Sequence, residues 1–383
     1  MMNLALKMLI GNRASCIGVI FGIFLATLLI SQQSAIFLGL VSRSYRIVTD
    51  IPAPNIWVID PVTESDEKVR AMPAGYLDIV RSVPDVEWAA PINVTNIPMT
   101  TQTGIFQVCH LYGIDDATLI GVPHEILEGD IKDLRREGAV LIDVYSANGI
   151  LAKREPNGKK IPIKIGDAFE INNRRAVVVG ICKITQGFYP QPIIYTTRSQ
   201  FSYFTSMPKD QVEFIAARTR PNVSIRKVLD NINSHAGLNG LTSDEMEWRI
   251  AKSFLQTGIL INFGLSVALG IIIGFSIAGQ IFYVMTLQNL PYYALIKAVG
   301  GNHKLITQMI MVQVFLVGVI GFLLGTGMTI LWGWAIRDTT LAFFFPWQLL
   351  LFTGLLVLLI CIFTAGLSIQ KVFSTDPKVL LGT

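Results

Sequence analysis

Charge is what this chain most lacks. Of its 383 residues, 15% are Asp, Glu, Lys or Arg, whereas a soluble domain carries about 25%. The shortfall is concentrated in four windows. No charged residue occurs in the 29 positions between Arg13 and Arg43, the 44 between Lys252 and Lys297, the 32 between Lys304 and Arg337, or the 32 between Asp338 and Lys371. A membrane-crossing helix needs roughly 20 apolar residues, so each window has room for one span. Ion-coupled pumps and charge-lined channels are built on ionisable groups at membrane depth. Their absence from all four windows argues against both classes.

Other absences narrow the field further. No phosphate loop of the form GxxxxGK[ST] is present, so ATP and its magnesium must be bound by a partner if they are used at all. The four histidines (His110, His124, His235, His303) show no metal-ligand spacing. No nucleophile–base–acid grouping stands out, so an enzyme is not indicated, and no cofactor, metal or nucleic-acid partner is expected. Of the four cysteines, Cys16 and Cys361 fall inside apolar windows and read as packing residues. Cys109 and Cys182 lie outside them and either pair, in an oxidising compartment, or remain two buried thiols.

What is present sits between the first two windows. Arg43 to Lys252 holds 24 of the 31 basic and 25 of the 27 acidic residues, a net charge of −1. A segment of roughly 200 residues can bury its own core. The first window is too long for a secretory leader and lacks a small-x-small cleavage site, so it is expected to be retained. With the N-terminus inside, Lys7, Arg13, Lys297, Lys304, Lys371 and Lys378 fall on the inner side, against Asp376. The positive-inside rule then places the 43–242 segment outside the cytoplasm.

The expected organisation is a membrane α-helical protein of four transmembrane helices, with an α+β extracytoplasmic domain inserted between helices 1 and 2. In order it has an amphipathic segment (1–13), a first span (14–42) and the outer domain (43–242). A stalk continuous with the second span follows (243–286), then a connecting helix (287–304) and a third span (305–336). An outer loop (337–346), a fourth span (347–370) and a cytoplasmic tail (371–383) complete it. "NIWVID" and "VEFIAART" read as strands, and "PAGYLDIVRSV" and "VSIRKVLDNINSHA" as helices, the latter capped by Asn222 or Ser224. The middle of the domain is a series of short β-type runs, expected as an insertion over about 116–200. "TSDE" gives Thr242 and Glu245 the pattern of a capping box. No proline follows until Pro291, so one helix of about 65 Å is expected from 243 to 286 at about 1.5 Å per residue.

Small residues recur at helical spacing in the spans. Ser266, Gly270, Gly274 and Ala278 form a ladder in span two. Gly18 with Gly22, and Gly321 with Gly325, give two further GxxxG pairs. Such surfaces allow close helix contact in lipid, either within the chain or across a dimer axis. Ser31, Gln32, Gln33, Ser34, Gln280, Gln308 and Gln313 are polar groups available for bonds between helices or for lining a cavity. Trp332, Trp334, Phe343, Phe344, Phe345 and Trp347 suit an interfacial belt.

The stretch "LQNLPYYALIKAVGGNHKL" joins spans two and three. Asn289 is a helix cap and Pro291 suits a first turn. Tyr292, Leu295, Ile296 and Val299 fall on one apolar face. Gly300 and Gly301 end the helix, and Asn302 is placed to cap span three. This short stiff helix, on the cytoplasmic side, is suited to receiving a push.

That stretch resembles the coupling helix of the FtsX/MacB superfamily of ABC-transporter permeases, of general form "E-x-G-x-L-[KR]-A-[LV]-G", and "LPYYALIKAVGG" is similar to its DevC-like branch. "YGIDDATL", "GDAFEINNRRAVVVGI" and the closing "KVFSTDPKVLL" resemble further motifs of the superfamily, in the same order. The chain departs from the pattern at Tyr292, where the family has an acid. Polar contacts to an ATPase must then come from Asn289, Lys297 or His303, or the interface is more apolar.

The resemblance implies a permease homodimer in a bacterial inner membrane, bound to a cytoplasmic ABC ATPase dimer and transmitting its movement mechanically. It also implies a periplasmic membrane-fusion adaptor and an outer-membrane duct for export of lipid-like cargo. Alternatives within the fold are lipoprotein release or regulation of a cell-wall hydrolase. A membrane-anchored sensor without an ATPase is the alternative outside it.

Overall fold

The computed structural model describes residues 2–101, 103–154, 160–187, 191–337, 339 and 341–374. The tail motif "DPKVLL", and most of the expected tail, lie outside the described residues. The chain divides into two compact units, Met1–Leu40 with Thr257–Thr383, and Val41–Gln256.

The first unit is built on four long apolar helices, Arg13–Ser44, Ile259–Gln288, His303–Ala335 and Trp347–Ser374, here spans one to four. Each is long and apolar enough to cross a bilayer. A short helix, Met2–Gly11, precedes them and buries Met8 and Leu9 against the bundle, while Ile10 is exposed. The segment between spans three and four is strapped to span one, the backbone N–H of Phe344 donating to the carbonyl of Ala35 at 3.0 Å. Phe343 packs between Trp332 and Phe345, and Trp334, Phe344 and Trp347 are exposed.

The second unit is α+β. Strands Asn239–Thr242, Ile56–Ile59 and Phe214–Thr219 pair in that order with the first half of a 16-residue strand, Val86–Thr101. Helices Gly75–Ser82 and Ile225–Asn233 supply Leu77, Val80, Val228, Leu229 and Ile232 to the core beside this sheet. Beyond it, six strands pair in a closed ring: Val86–Thr101, Phe106–Ile114, Ile193–Thr197, Ala139–Asp143, Arg174–Lys183 and Ala168–Ile171, the last returning to the first. Closure removes the exposed edges that an open sheet of this size would present. The ring thus begins well before residue 116, because one long strand serves both sheet and ring.

The expected continuous helix from 243 to 286 is not formed. The capping box is made, with Glu245 N–H donating to Thr242 Oγ1 at 3.2 Å and Thr242 N–H to Glu245 Oε2 at 2.9 Å. The helix it starts, Ser243–Leu255, stops short of span two. Gly258 lies between them with φ +82°, a left-handed conformation that breaks the helical hydrogen-bond ladder. Absence of proline did not suffice to keep the rod whole; a glycine supplied the break.

Cys109 and Cys182 are buried free thiols, so the disulfide alternative is excluded. Their sulfurs donate to the carbonyls of Ile97 and Ile142, and burial pushes the Cys109 thiol up to about 12.

Candidate functional site

The helix joining spans two and three runs over nine residues, Leu290–Ala298, shorter than the 287–304 segment that contains it. Asn289 begins it through its backbone: its carbonyl accepts from Tyr292 N–H at 3.1 Å and Tyr293 N–H at 3.2 Å. Its side chain makes no capping bond and is buried. Pro291 lies in the first turn, where a helix does not need the missing N–H. The end is a Schellman turn, with Gly301 N–H on the Ile296 carbonyl at 2.8 Å and Gly300 N–H on that of Lys297 at 3.0 Å. Gly300 has φ +92°. Gly301 is required for a different reason, since a Cβ there would stand 2.5 Å from Ile296 Cγ2. Asn302 occupies the N-cap position of span three without a side-chain bond.

The two faces of this helix separate sharply. Leu290, Tyr293 and Ala294 are buried, the first two in a core that includes Met8, Leu9, Ile306 and Met309. The Tyr293 hydroxyl donates to Gln313 Oε1 in span three at 3.3 Å. On the other face Tyr292, Leu295 and Val299 are 61%, 59% and 84% exposed. The polar residues of this segment differ in their surroundings, His303 being exposed and Lys297 half-buried. Asn289 is buried, Lys297 Nζ donates to the Val372 carbonyl at 3.3 Å and lies 5.5 Å from the Phe373 ring, and His303 sets its ring edge-on to Phe373 at 4.6 Å. Lys297 and His303 thus hold the end of span four.

The small-residue ladder is used within the chain. A Cβ on Gly274 would meet Ala26 of span one at 2.3 Å, one on Gly270 would meet Leu29 and Ile30 at 3.3 Å, and one on Gly22 would meet the Ala278 backbone nitrogen at 3.0 Å. Gly18 faces Ile281 in the same seam. The Ser266 hydroxyl donates to the Asn262 carbonyl one turn back at 3.1 Å. Gly321 and Gly325 receive Ile23 and Thr27 on another side of span one. These glycines therefore bind spans one, two and three of one chain.

A third constellation was not found from sequence. Directly after span one, the short helix Arg46–Thr49 is almost wholly buried in the outer unit. Arg46 Nη2 lies 3.6 Å from Asp66 Oδ2, which also lies 3.5 Å from His110 Nε2 and accepts the Tyr112 hydroxyl at 3.3 Å. His110 Nδ1 is 2.7 Å from Asn96 Oδ1, and Tyr112 stacks on Tyr195. Burial works against ionised Asp66, but the bonds from His110 and Tyr112 and the charge of Arg46 outweigh it and hold the carboxyl below its ordinary value. A few residues on, both oxygens of Asp50 accept from Thr185 N–H at 3.1 Å. Burial raises Asp50 to about 6, with Thr185 and Arg46 opposing. Ile47, Val48 and Ile51 complete the anchor. The available signal was "SYRIVTDI", an Arg and an Asp just after the first uncharged window, which by themselves read as juxtamembrane charges.

Four helices long and apolar enough to cross a bilayer, with an α+β domain inserted after the first, describe an integral membrane protein. The MacB-like periplasmic core domain family matches residues 15–235, more than half of the chain, and the FtsX-like permease C-terminal family matches residues 264–377. The chain belongs to the FtsX/MacB-type ABC permeases. A protein named hemin transport system permease protein HrtB, from Staphylococcus haemolyticus, is 28% identical over 101 residues, which are 26% of this chain and 28% of that protein. The chain thus spans little more than a quarter of that relative's length. Among solved structures, the periplasmic region of MacB from Actinobacillus actinomycetemcomitans is 12% identical, with a TM-score of 0.39, covering 53% of this chain and 95% of that one. The extracellular domain of the ABC-type transporter YknZ from Gram-positive bacteria is 12% identical, with a TM-score of 0.36, covering 49% and 99%.

Proposed function

We propose that this chain is the membrane subunit of an ABC exporter of the MacB/DevC type, driven by a separate cytoplasmic ATPase. The observation that carries the proposal is the apolar strip of Tyr292, Leu295 and Val299, displayed on a helix clamped by Tyr293–Gln313 and Lys297–Val372. A braced helix transmits a push to the spans that brace it; a loose one absorbs it. The strip is uncharged, so the ATPase groove that receives it is apolar, and the acid found in this position elsewhere in the family is dispensed with.

Movement then reaches the outer domain through span one rather than through span two. Span one is a single helix from Arg13 to Ser44, followed at once by the buried Arg46 anchor, whereas the path from span two is broken at Gly258. The chain works as a dimer in a bacterial inner membrane, with both termini and the Leu290–Ala298 helix cytoplasmic. Adaptor, outer-membrane duct and amphiphilic cargo complete the system, and the similarity to a hemin transport permease supports a cargo with a large apolar body.

The test is to co-express the chain with its ATPase and replace Leu295 and Val299 by Asp. The proposal predicts loss of the ATPase from the purified complex with normal membrane insertion. Retention of a stoichiometric ATPase by the double variant would refute it.

A further inference from the structure

Between strands Ile56–Ile59 and Met72–Pro73 the chain forms no helix or strand. This segment, 60–71, is fixed instead by side chains of the helix Ser243–Leu255. Arg249 Nε donates to the Thr63 carbonyl at 2.8 Å, and its Nη2 donates to the Pro61 carbonyl. Ser253 Oγ donates to Glu64 Oε2 at 3.0 Å. Arg249 and Ser253 stand one turn apart on the helix, so they hold one stretch of the segment at two heights.

The segment is also stiffened from within. Thr63 N–H donates to the Asp60 carbonyl at 3.0 Å, Arg70 N–H to Thr63 Oγ1 at 3.0 Å, and Glu64 N–H to the Lys68 carbonyl at 3.1 Å. Thr63 is fully buried. Just beyond it Asp66 turns inward, its Oδ2 lying 3.6 Å from Arg46 Nη2 and 3.5 Å from His110 Nε2 and accepting the Tyr112 hydroxyl at 3.3 Å. One short piece of chain thus joins three elements: the helix Ser243–Leu255, the helix Arg46–Thr49 and the strand Phe106–Ile114.

Apolar packing already brings the two helices together, since Ile47, Val48 and Ile51 share a core with Met246 and Ile250. Such contacts are non-directional, and helices packed through them can slide past one another. Hydrogen bonds depend on distance and angle, so the polar route sets their register. We propose that the 60–71 segment is a tie, with Arg249 and Asp66 as its positioning residues. It makes the helices Arg46–Thr49 and Ser243–Leu255 move together and passes their movement to the strand Phe106–Ile114. Movement that enters at Arg46 then reaches Ser243–Leu255 through the outer domain, although Gly258 interrupts the route along the chain. The use of the tie in transport rests on the exporter reading; its existence does not.

The test measures amide hydrogen exchange in full-chain variants, with no ATPase present. Arg249→Met keeps an apolar stem and removes the donors. It is expected to quicken exchange about tenfold at 46–51, at the other end of the tie, the effect of one charged hydrogen bond. Asp66→Asn should quicken exchange at 249–255 by a similar factor, because coupling is reciprocal. Arg249→Lys, with a single donor group, should recover part of the protection. If Asp66→Asn does not fold, Arg249→Met decides alone. Quickening confined to 60–71 would show a loop pinned only locally and would overturn the proposal. In the complex with the ATPase, Arg249→Met is expected to lower export per ATP hydrolysed at an unchanged rate of hydrolysis. A normal ratio, despite faster exchange at 46–51, would refute the tie's part in transport. Exchange is read on the chain alone, so a failure of the exporter reading leaves that first result standing.

Discussion

Tyr293, in the helix between spans two and three, is tied to Gln313 inside span three by a buried hydrogen bond of 3.3 Å. Both side chains are about 1% exposed, so the bond is shielded from water and fixes the helix against the span. Tyr293→Phe is expected to cost about 1 kcal/mol, the usual net value of such a bond. Gln313→Leu should cost a similar amount, and the double variant less than the sum, since the partners are in contact. Thermal unfolding of the detergent-solubilised protein measures this, and full additivity would mean that the two do not act together.

Gly300 and Gly301 should respond differently to alanine and valine. Gly300→Ala imposes a left-handed φ on a residue with a Cβ, at about 1 kcal/mol. Gly301→Val places branched atoms where Ile296 already stands. Both are expected to insert normally and keep ATPase binding, while export per ATP hydrolysed falls, most for Gly301→Val. Reconstituted vesicles with coupled transport and phosphate-release assays read the ratio directly.

The anchor after span one should be sensitive to pH in a defined direction. Asp50 has its folded value raised from 3.8 to about 6, so the protonated form is favoured in the fold. The associated stability is full below 3.8 and is lost as pH rises through about 6. At about 1.4 kcal/mol per pH unit, the difference amounts to about 3 kcal/mol. Asp66 is shifted the other way, and its contribution is present above the ordinary carboxylate value and lost below it. Amide exchange in segment 45–51 is expected to quicken between pH 4 and pH 6 beyond the intrinsic rate change. Asp50→Asn should abolish this excess.

Arg46→Ala leaves Asp66 buried beside His110 without its cation. Removing one partner of a buried pair costs about 3–5 kcal/mol, so the outer domain should unfold at markedly lower denaturant. Arg46→Lys restores the charge without the planar fork and is expected to recover only part of the loss.

Much of the architecture was legible because the bilayer is a severe solvent. Four uncharged windows, one capping box and the pair Gly300–Gly301 each follow from a local physical requirement. The relation between faces was less legible. Tyr292, Leu295 and Val299 share an apolar stripe, but periodicity does not say whether a stripe packs inward or is displayed. Here the inward face is carried by Leu290, Tyr293 and Ala294 instead. That Lys297 and His303 lie beside the end of span four was not legible, because nothing in the sequence places that end there. The break at Gly258 was missed because a glycine within an apolar run is compatible with a helix until its φ is known. The Arg46–Asp66–His110 network joins residues remote in the chain, which no single-sequence pattern connects.

The central claim is that a cytoplasmic ATPase seats on the strip centred on Leu295. A photo-crosslinking amino acid at position 295, in intact cells expressing the full complex, tests it most directly. The account predicts one dominant adduct with a subunit bearing a Walker-type phosphate loop, diminished by Val299→Asp. Modification of a cysteine at 295 by a membrane-impermeant reagent from outside the cell would contradict it.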